Sequence, residues 1–262
     1  MTQKKPPVNP LVFTLNPTTA NLANVAIALE ATEVALGRSG HLPGAVCFTG
    51  HSGLGKSIAA AYVAQQHRAH YVEIKRLWTR KDFLRMCMHV MGIPEGKDMN
   101  MADRLGVICD ELGNSGRPLI IDEFDHFADR PRESRAEYIE LVRDIIDGSQ
   151  GTVILIGEER LPHKLVKYER FHNRILAWYQ AVTAGIGDCE ILARHYYPGL
   201  EIRRDLLEKV LVTCHGITRR ICMNLEAISR EAAERGIDSI GLAEWGKRGF
   251  NTGEPPKVRE LP

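Results

Sequence analysis

The sequence predicts an α/β fold built on a doubly wound parallel sheet, with a small helical lid at its C-terminal end, and three observations carry that prediction. Short apolar runs at residues 45–49, 118–123 and 152–157 alternate with stretches of helical periodicity, as buried parallel strands and their crossover helices do. The first run opens directly into a glycine-rich turn, followed by an alanine-rich segment free of glycine and proline. From Asp188 onward the strand pattern stops, and helical segments at 189–196, 203–214 and 218–235 follow one another without further strands.

The glycine-rich turn is the most informative stretch. Gly50-His51-Ser52-Gly53-Leu54-Gly55-Lys56-Ser57-Ile58 fits the pattern G-x-x-x-x-G-K-[ST] of a phosphate-binding loop. Glycines let the backbone turn tightly enough for consecutive N–H groups to face one anion. Lys56 supplies a point charge for the outer phosphates, and the Ser57 hydroxyl is placed for Mg²⁺. The helix expected at 57–67 aims the positive end of its dipole at the same phosphates. Strand, loop and helix stand in the order that nucleotide binding requires.

In chain order, residues 1–17 carry four prolines and no periodicity, and read as an extended arm. Asn16, Pro17, Thr18 and Thr19 signal a helix start, and Leu22, Val25, Ala26, Leu29 and Val34 follow helical spacing up to Gly37. After the phosphate loop and its helix, residues 70–77 alternate like a strand. Thr79 then caps a helix over 80–91, with Phe83, Leu84, Cys87 and Met91 on one face, and a further amphipathic helix spans 102–113. Residues 118–123 follow, an apolar strand that ends in the carboxylates Asp122 and Glu123. Downstream of a phosphate loop this is the expected Walker B element: Asp122 holds the Mg²⁺ shell, and Glu123 orients and polarises the attacking water. A helix at 135–147, a buried strand at 152–157, a basic helix at 161–173 and a weakly alternating strand at 175–182 complete the expected sheet region. The domain boundaries read from this pass are an arm at 1–17, a nucleotide-binding α/β domain at 18–187, a helical lid at 188–235 and a tail at 236–262 with a short helix near 242–247.

Composition bounds the rest. The 262 residues are 44% hydrophobic and 26% charged, enough for one large domain with an appendage. No apolar run approaches the roughly 20 residues that span a bilayer, and the N-terminus lacks a signal-peptide core, so a cytoplasmic protein without membrane contact is expected. Six cysteines without C-x-x-C spacing read as reduced core thiols, and no histidine has ligand spacing. The net charge of +1 conceals segregation: six Lys/Arg lie in 68–85 and five in 160–174, with a strongly acidic stretch at 122–147 between them. Such faces suit duplex DNA or head-to-tail subunit contacts, with ordinary solvated charge as the alternative.

Together, the phosphate loop, the Asp122-Glu123 strand end, the third buried strand, the arginine-bearing helix and the helical lid resemble an AAA+ ATPase over roughly residues 18–235. The resemblance implies ATP hydrolysis with Mg²⁺, homo-oligomerisation as a ring or helical filament, and an arginine before the last strand that acts on the neighbouring subunit's nucleotide. Arg174, which abuts that strand, is the first choice for this role and Arg170 the second. Gly216-Ile217-Thr218-Arg219-Arg220 resembles the start of the family's lid helix, with Arg219 the better match to its sensor arginine and Arg220 the alternative. Gly157 and Glu158 stand where the family has a polar residue that orients water, which implies slow turnover. Within the family, the compact lid and the segment at 155–175 are similar to the transposition ATPases, which include the B protein of Mu-like phages. That likeness implies a double-stranded DNA partner and a transposase partner. DNA is expected on Lys75, Arg76, Thr79, Arg80 and Lys81, where a strand meets a helix N-terminus. A replication initiator or helicase loader, and a nucleotide-driven signalling switch, are the alternatives.

Overall fold

The computed structural model describes residues 22–255; the expected arm at 1–17, its helix-start signal and the last seven residues of the tail, 256–262, lie outside the described residues. The chain begins with α1 (Ala23–Leu36), β1 (Ala45–Thr49), α2 (Lys56–Gln66) and β2 (His70–Glu73). Next come α3 (Arg80–Met91), α4 (Met101–Ser115), β3 (Leu119–Asp122), α5 (Asp125–Ala128) and α6 (Arg132–Ser149). Then β4 (Val153–Gly157), α7 (Leu161–Leu165), α8 (Glu169–His172) and β5 (Ile175–Gln180) complete the α/β part. Over the region expected as the lid run α9 (Ile186–Tyr196), β6 (Glu201–Ile202), α10 (Arg204–Thr213) and α11 (Thr218–Arg235), and over the expected tail β7 (Ser239–Ile240) and α12 (Leu242–Trp245).

Five strands form one parallel sheet in the order β2-β3-β4-β1-β5, so the strand leading into the phosphate loop lies inside the sheet with β4 and β5 as neighbours. Alternation along the strands sorts side chains onto two cores. Val46, Phe48, Ile120, Ile154 and Ile156 join α1, α2 and the lid on one face. Ala45, Cys47, Leu119, Ile121, Val153 and Leu155 join α3, α4 and α6 on the other. Buried on both faces, these strands must be apolar at every position, which is why they read as continuous apolar runs. All six cysteines are free thiols, four of them buried. Among the described residues no helix is long and apolar enough to cross a membrane.

Three expectations are corrected. The lid is not purely helical: β6 and β7 pair in parallel, Glu201 opposite Ser239 and Ile202 opposite Ile240. A ladder two residues long has no alternation for a sequence pattern to register. The helix expected at 161–173 is two short helices, because Tyr168 leaves helical geometry at φ −106°, ψ 76°. Leu161 and Leu165 share one helical stripe, but Phe171 falls off that stripe and is also fully buried, so the chain must reset its phase between them. The strand expected at 70–77 ends at Glu73 and gives way to a turn at Arg76–Leu77, where Leu77 is 92% exposed.

Candidate nucleotide site

The phosphate loop caps the carboxyl end of β1. Gly53 and Gly55 adopt φ of +85° and +86°, the left-handed region natural to glycine. Gly50 is required by proximity, since a Cβ there would lie 2.7 Å from the Cβ of Ala181. Helix α2 starts from Gly55 without a side-chain cap, whereas α3 and α4 each start in a capping box made by Thr79 with Asp82 and by Asn100 with Asp103. The first N–H groups of α2 are thereby left for an anion. Lys56 Nζ donates to the carbonyl oxygens of Gly50 (2.6 Å) and His51 (2.9 Å), folding back over its own loop. Burial pulls the Lys56 pKa down, and the nearby carboxylates of Asp122 and Glu123 work against that shift. Ser57 is exposed in the first turn, and His51 Nε2 lies 2.6 Å from Glu159 Oε2.

At the end of β3, Asp122 is only 2% exposed. Its Oδ1 accepts the Glu123 N–H at 2.7 Å and its Oδ2 accepts the Tyr71 hydroxyl at 2.7 Å. Glu123 has φ +56°, left-handed and therefore strained for a residue with a side chain, at roughly 1–3 kcal/mol. Its pKa is raised by burial first and by the Asp122 charge second, which suits a group that must exchange protons with water. Phe124 fixes the following turn by stacking on Phe171 of α8, ring centroids 5.9 Å apart. The donor set fits an ATP–Mg²⁺ complex: an uncapped helix N-terminus, a lysine spanning the loop, a free hydroxyl and a buried carboxylate stand together.

At the end of β4, where the sequence resemblance implied a water-orienting residue, the structure offers a close contact instead. A Cβ at Gly157 would fall 2.3 Å from Asp125 Oδ2, so no side chain fits there. Asp125, itself buried, accepts the Glu158 N–H through Oδ2 and the Lys164 ammonium through Oδ1 at 2.8 Å. Glu158 is exposed, and its charge acts on Lys56. Asp125 was legible only as one more acidic residue beyond the strand.

A cleft of about 540 Å³ separates the phosphate loop from the lid, lined by Lys56, Ser57, Ile58 and Glu123 on one side and by Tyr196, Arg219 and Met223 on the other. Helix α11 docks on the carbonyls of the loop: the Arg219 N–H donates to that of Gly53 at 3.0 Å, and the Thr218 hydroxyl to that of Leu54 at 3.3 Å. Arg219 therefore faces the cleft, while Arg220 packs toward Gly253 in the C-terminal segment. Buried Asn24 clamps α1 to the same loop, donating to the carbonyls of Leu54 (2.9 Å) and Val182 (2.8 Å) and accepting the Val182 N–H. A small apolar cavity of about 30 Å³ lies between Val25, Ile58, Ile191 and Leu192.

Arg174 lies at the opposite end of the sheet, before β5, where its guanidinium forks onto both Asp147 oxygens. Arg170 is exposed on α8 and has no partner among the described residues. The residues expected to meet DNA divide. Lys75 pairs with Glu73, Arg80 Nη2 lies 3.0 Å from Glu137, and the Thr79 hydroxyl is used in capping α3. Arg76 and Lys81, on either side of Leu77 and Trp78, are exposed and form no hydrogen bond or ion pair among the described residues, though the Lys81 charge acts on Asp82.

Residues 40–165 match the family described as AAA domain. Among curated proteins no sequence matches. Among solved structures, the chain is similar to Cdc6p from Pyrobaculum aerophilum, with TM-score 0.60, 14% identity, and 84% of this chain and 65% of that one covered. It is similar to the Aeropyrum pernix ORC1 protein in complex with DNA, with TM-score 0.59, 16% identity, and coverages of 85% and 62%. It is also similar to the Thermotoga maritima RuvB Holliday junction branch migration motor, with TM-score 0.54, 19% identity, and coverages of 83% and 64%. The chain thus spans just under two thirds of each of these structures. Its fold is that of an AAA+ P-loop ATPase, a doubly wound parallel sheet with a small C-terminal helical lid.

Proposed function

We propose that this protein is an ATP-dependent, sequence-nonspecific DNA-binding ATPase that oligomerises on target DNA and there recruits or activates a transposase. The observation that carries the ATPase part is the cleft in which Lys56, Ser57, Glu123 and Arg219 converge beside buried Asp122. In this reading Lys56 leaves the loop carbonyls for the phosphates, Asp122 and Ser57 hold Mg²⁺, and Glu123 takes the proton of the attacking water. When bound, Mg²⁺ would neutralise charge on the phosphate oxygens. Arg219 reports closure of the lid over the nucleotide. Arg174, or Arg170 beside it, is too far from its own cleft to act there and serves a neighbouring subunit.

DNA binding is supported by the exposed cations Arg76 and Lys81 and, as a likeness only, by the ORC1 structure solved with DNA. The transposase partner rests on the sequence resemblance at 155–175. One monomer offers few phosphate contacts at a net charge of +1, so assembly must multiply them. The test is duplex binding with and without ATP across a salt series, where each neutralised phosphate steepens log K against log salt by about 0.9. Arg76→Ala with Lys81→Ala should remove most of the binding, and Lys75→Ala with Arg80→Ala less, because these are already paired with carboxylates. Absence of ATP-dependent binding at low salt would leave a nucleotide-driven switch without DNA. A second reading, a replication initiator or helicase loader, draws on the likeness to Cdc6p and ORC1; capture of a helicase rather than a transposase would favour it.

A further inference from the structure

We infer that Tyr71 is a positioning residue for the metal: its hydroxyl holds the Asp122 carboxylate in the orientation that receives Mg²⁺. This rests on the reading of Asp122 as part of the metal shell. The geometry follows from sheet register. Strand β2 lies beside β3 with Tyr71 opposite Ile120 and Glu73 opposite Asp122, so Tyr71 is the diagonal neighbour of the aspartate on the same face. A diagonal pair is beyond the reach of short side chains and within that of an aromatic one, and the phenol spans the gap to Asp122 Oδ2 at 2.7 Å.

The other β2 residue on that face, Glu73, carries a negative charge directly opposite Asp122 and is turned onto Lys75. Tyr71 is thus the only side chain among the described residues that donates a hydrogen bond to Asp122. The Glu123 N–H fixes the other oxygen, so the two donors set the carboxylate plane between them. Each oxygen keeps a further lone pair for the metal or its water, and the plane decides where those lone pairs point. A phenol that merely satisfied a buried carboxylate would contribute to folding. One that aims it contributes to metal affinity.

The experiment measures affinity for a non-hydrolysable ATP analogue in EDTA and across a Mg²⁺ titration, for wild type, Tyr71→Phe, Asp122→Asn and the double variant, with melting temperature alongside. Tyr71→Phe should raise the Mg²⁺ concentration for half-maximal tightening by about 10–100-fold, the range found for outer-shell partners of metal ligands, and leave the EDTA affinity unchanged. In the Asp122→Asn background Tyr71→Phe should add nothing further, because its only route to the metal is gone. The Asp122→Asn single variant keeps a buried partner, since the Tyr71 hydroxyl can accept from the new amide, and the melting temperatures separate a folding failure of Tyr71→Phe from a lost metal. A Mg²⁺ requirement unchanged in Tyr71→Phe but raised in Asp122→Asn would overturn the inference alone. So would equal losses with and without Mg²⁺, the mark of a purely structural role. A normal Mg²⁺ requirement in Asp122→Asn would overturn the metal assignment and this inference with it.

Discussion

The two ends of the sheet hold their charged groups in different ways. At the carboxyl end Asp122 is 2% exposed and both of its oxygens are hydrogen-bonded, while Lys56 is gathered onto two backbone carbonyls. At the amino end Arg174 and Asp147 face each other with 41% and 37% of their side chains exposed. The buried Asp122 carboxylate, held by a donor on each oxygen, has little freedom and is pre-aimed, whereas half-buried Lys56 must exchange its carbonyl partners for a ligand. An exposed ion pair is worth about 0–1 kcal/mol and exchanges partners readily. Arg174 can therefore exchange Asp147 for another anion at little cost to its own fold.

The largest expected effect sits at the carboxyl end. Lys56→Ala should weaken nucleotide binding by about 100-fold or more, since charge-assisted hydrogen bonds contribute up to about 3 kcal/mol. Direct calorimetric titration checks it, and unchanged affinity would dissolve the contrast between the two ends.

Glu123→Gln should retain nucleotide affinity while lowering hydrolysis by about 10²–10⁴-fold, the usual contribution of a positioned general base. Steady-state phosphate release measures it. The same variant sharpens the electrostatic side. The folded-state pKa of Glu123 is raised, so the native protein is relatively favoured while Glu123 is protonated and loses that advantage as pH rises through its folded pKa. Glu123→Gln should accordingly melt slightly higher than wild type at neutral pH, with the difference shrinking toward acid pH. A gap that widens in acid would reverse the assignment.

Arg174→Ala should lower ATPase activity of the assembly by about 10-fold or more, a modest share of what a trans arginine supplies, with monomer nucleotide affinity unchanged. Mixing it with Lys56→Ala subunits should restore part of the activity; no rescue would return the role to Arg170 or to neither. The smallest effect belongs to the pair itself. Asp147→Asn should change stability by less than about 1 kcal/mol, read from denaturant unfolding, and a loss of several would show that the amino end is as rigidly built as the carboxyl end.

The division between what was legible in the sequence and what was not follows the range of the interactions. The phosphate loop, the apolar strands at 45–49 and 152–157 and the strand end at Asp122-Glu123 depend on neighbours a few residues apart, and each stands where its pattern predicts. The helix expected at 161–173 failed because its phase is reset to bury Phe171, a demand made by Phe124 from another segment. The β6–β7 ladder failed because two residues carry no period.

The sequence by itself determined the fold class and the backbone geometry of the glycine-rich loop, because backbone freedom at Gly53 and Gly55 and two-sided burial of β1 are written in consecutive residues. Only the tertiary structure decided which groups those residues meet. The order β2-β3-β4-β1-β5 sets β2 against β3, so Tyr71 reaches an aspartate 51 positions away. Docking of α11 on the loop turns Arg219, and not Arg220, into the cleft. Packing of Asp125 against Gly157 leaves no room for a side chain at the end of β4. These choices lie between segments far apart in the chain, where local periodicity is silent and shape and register alone select the partner.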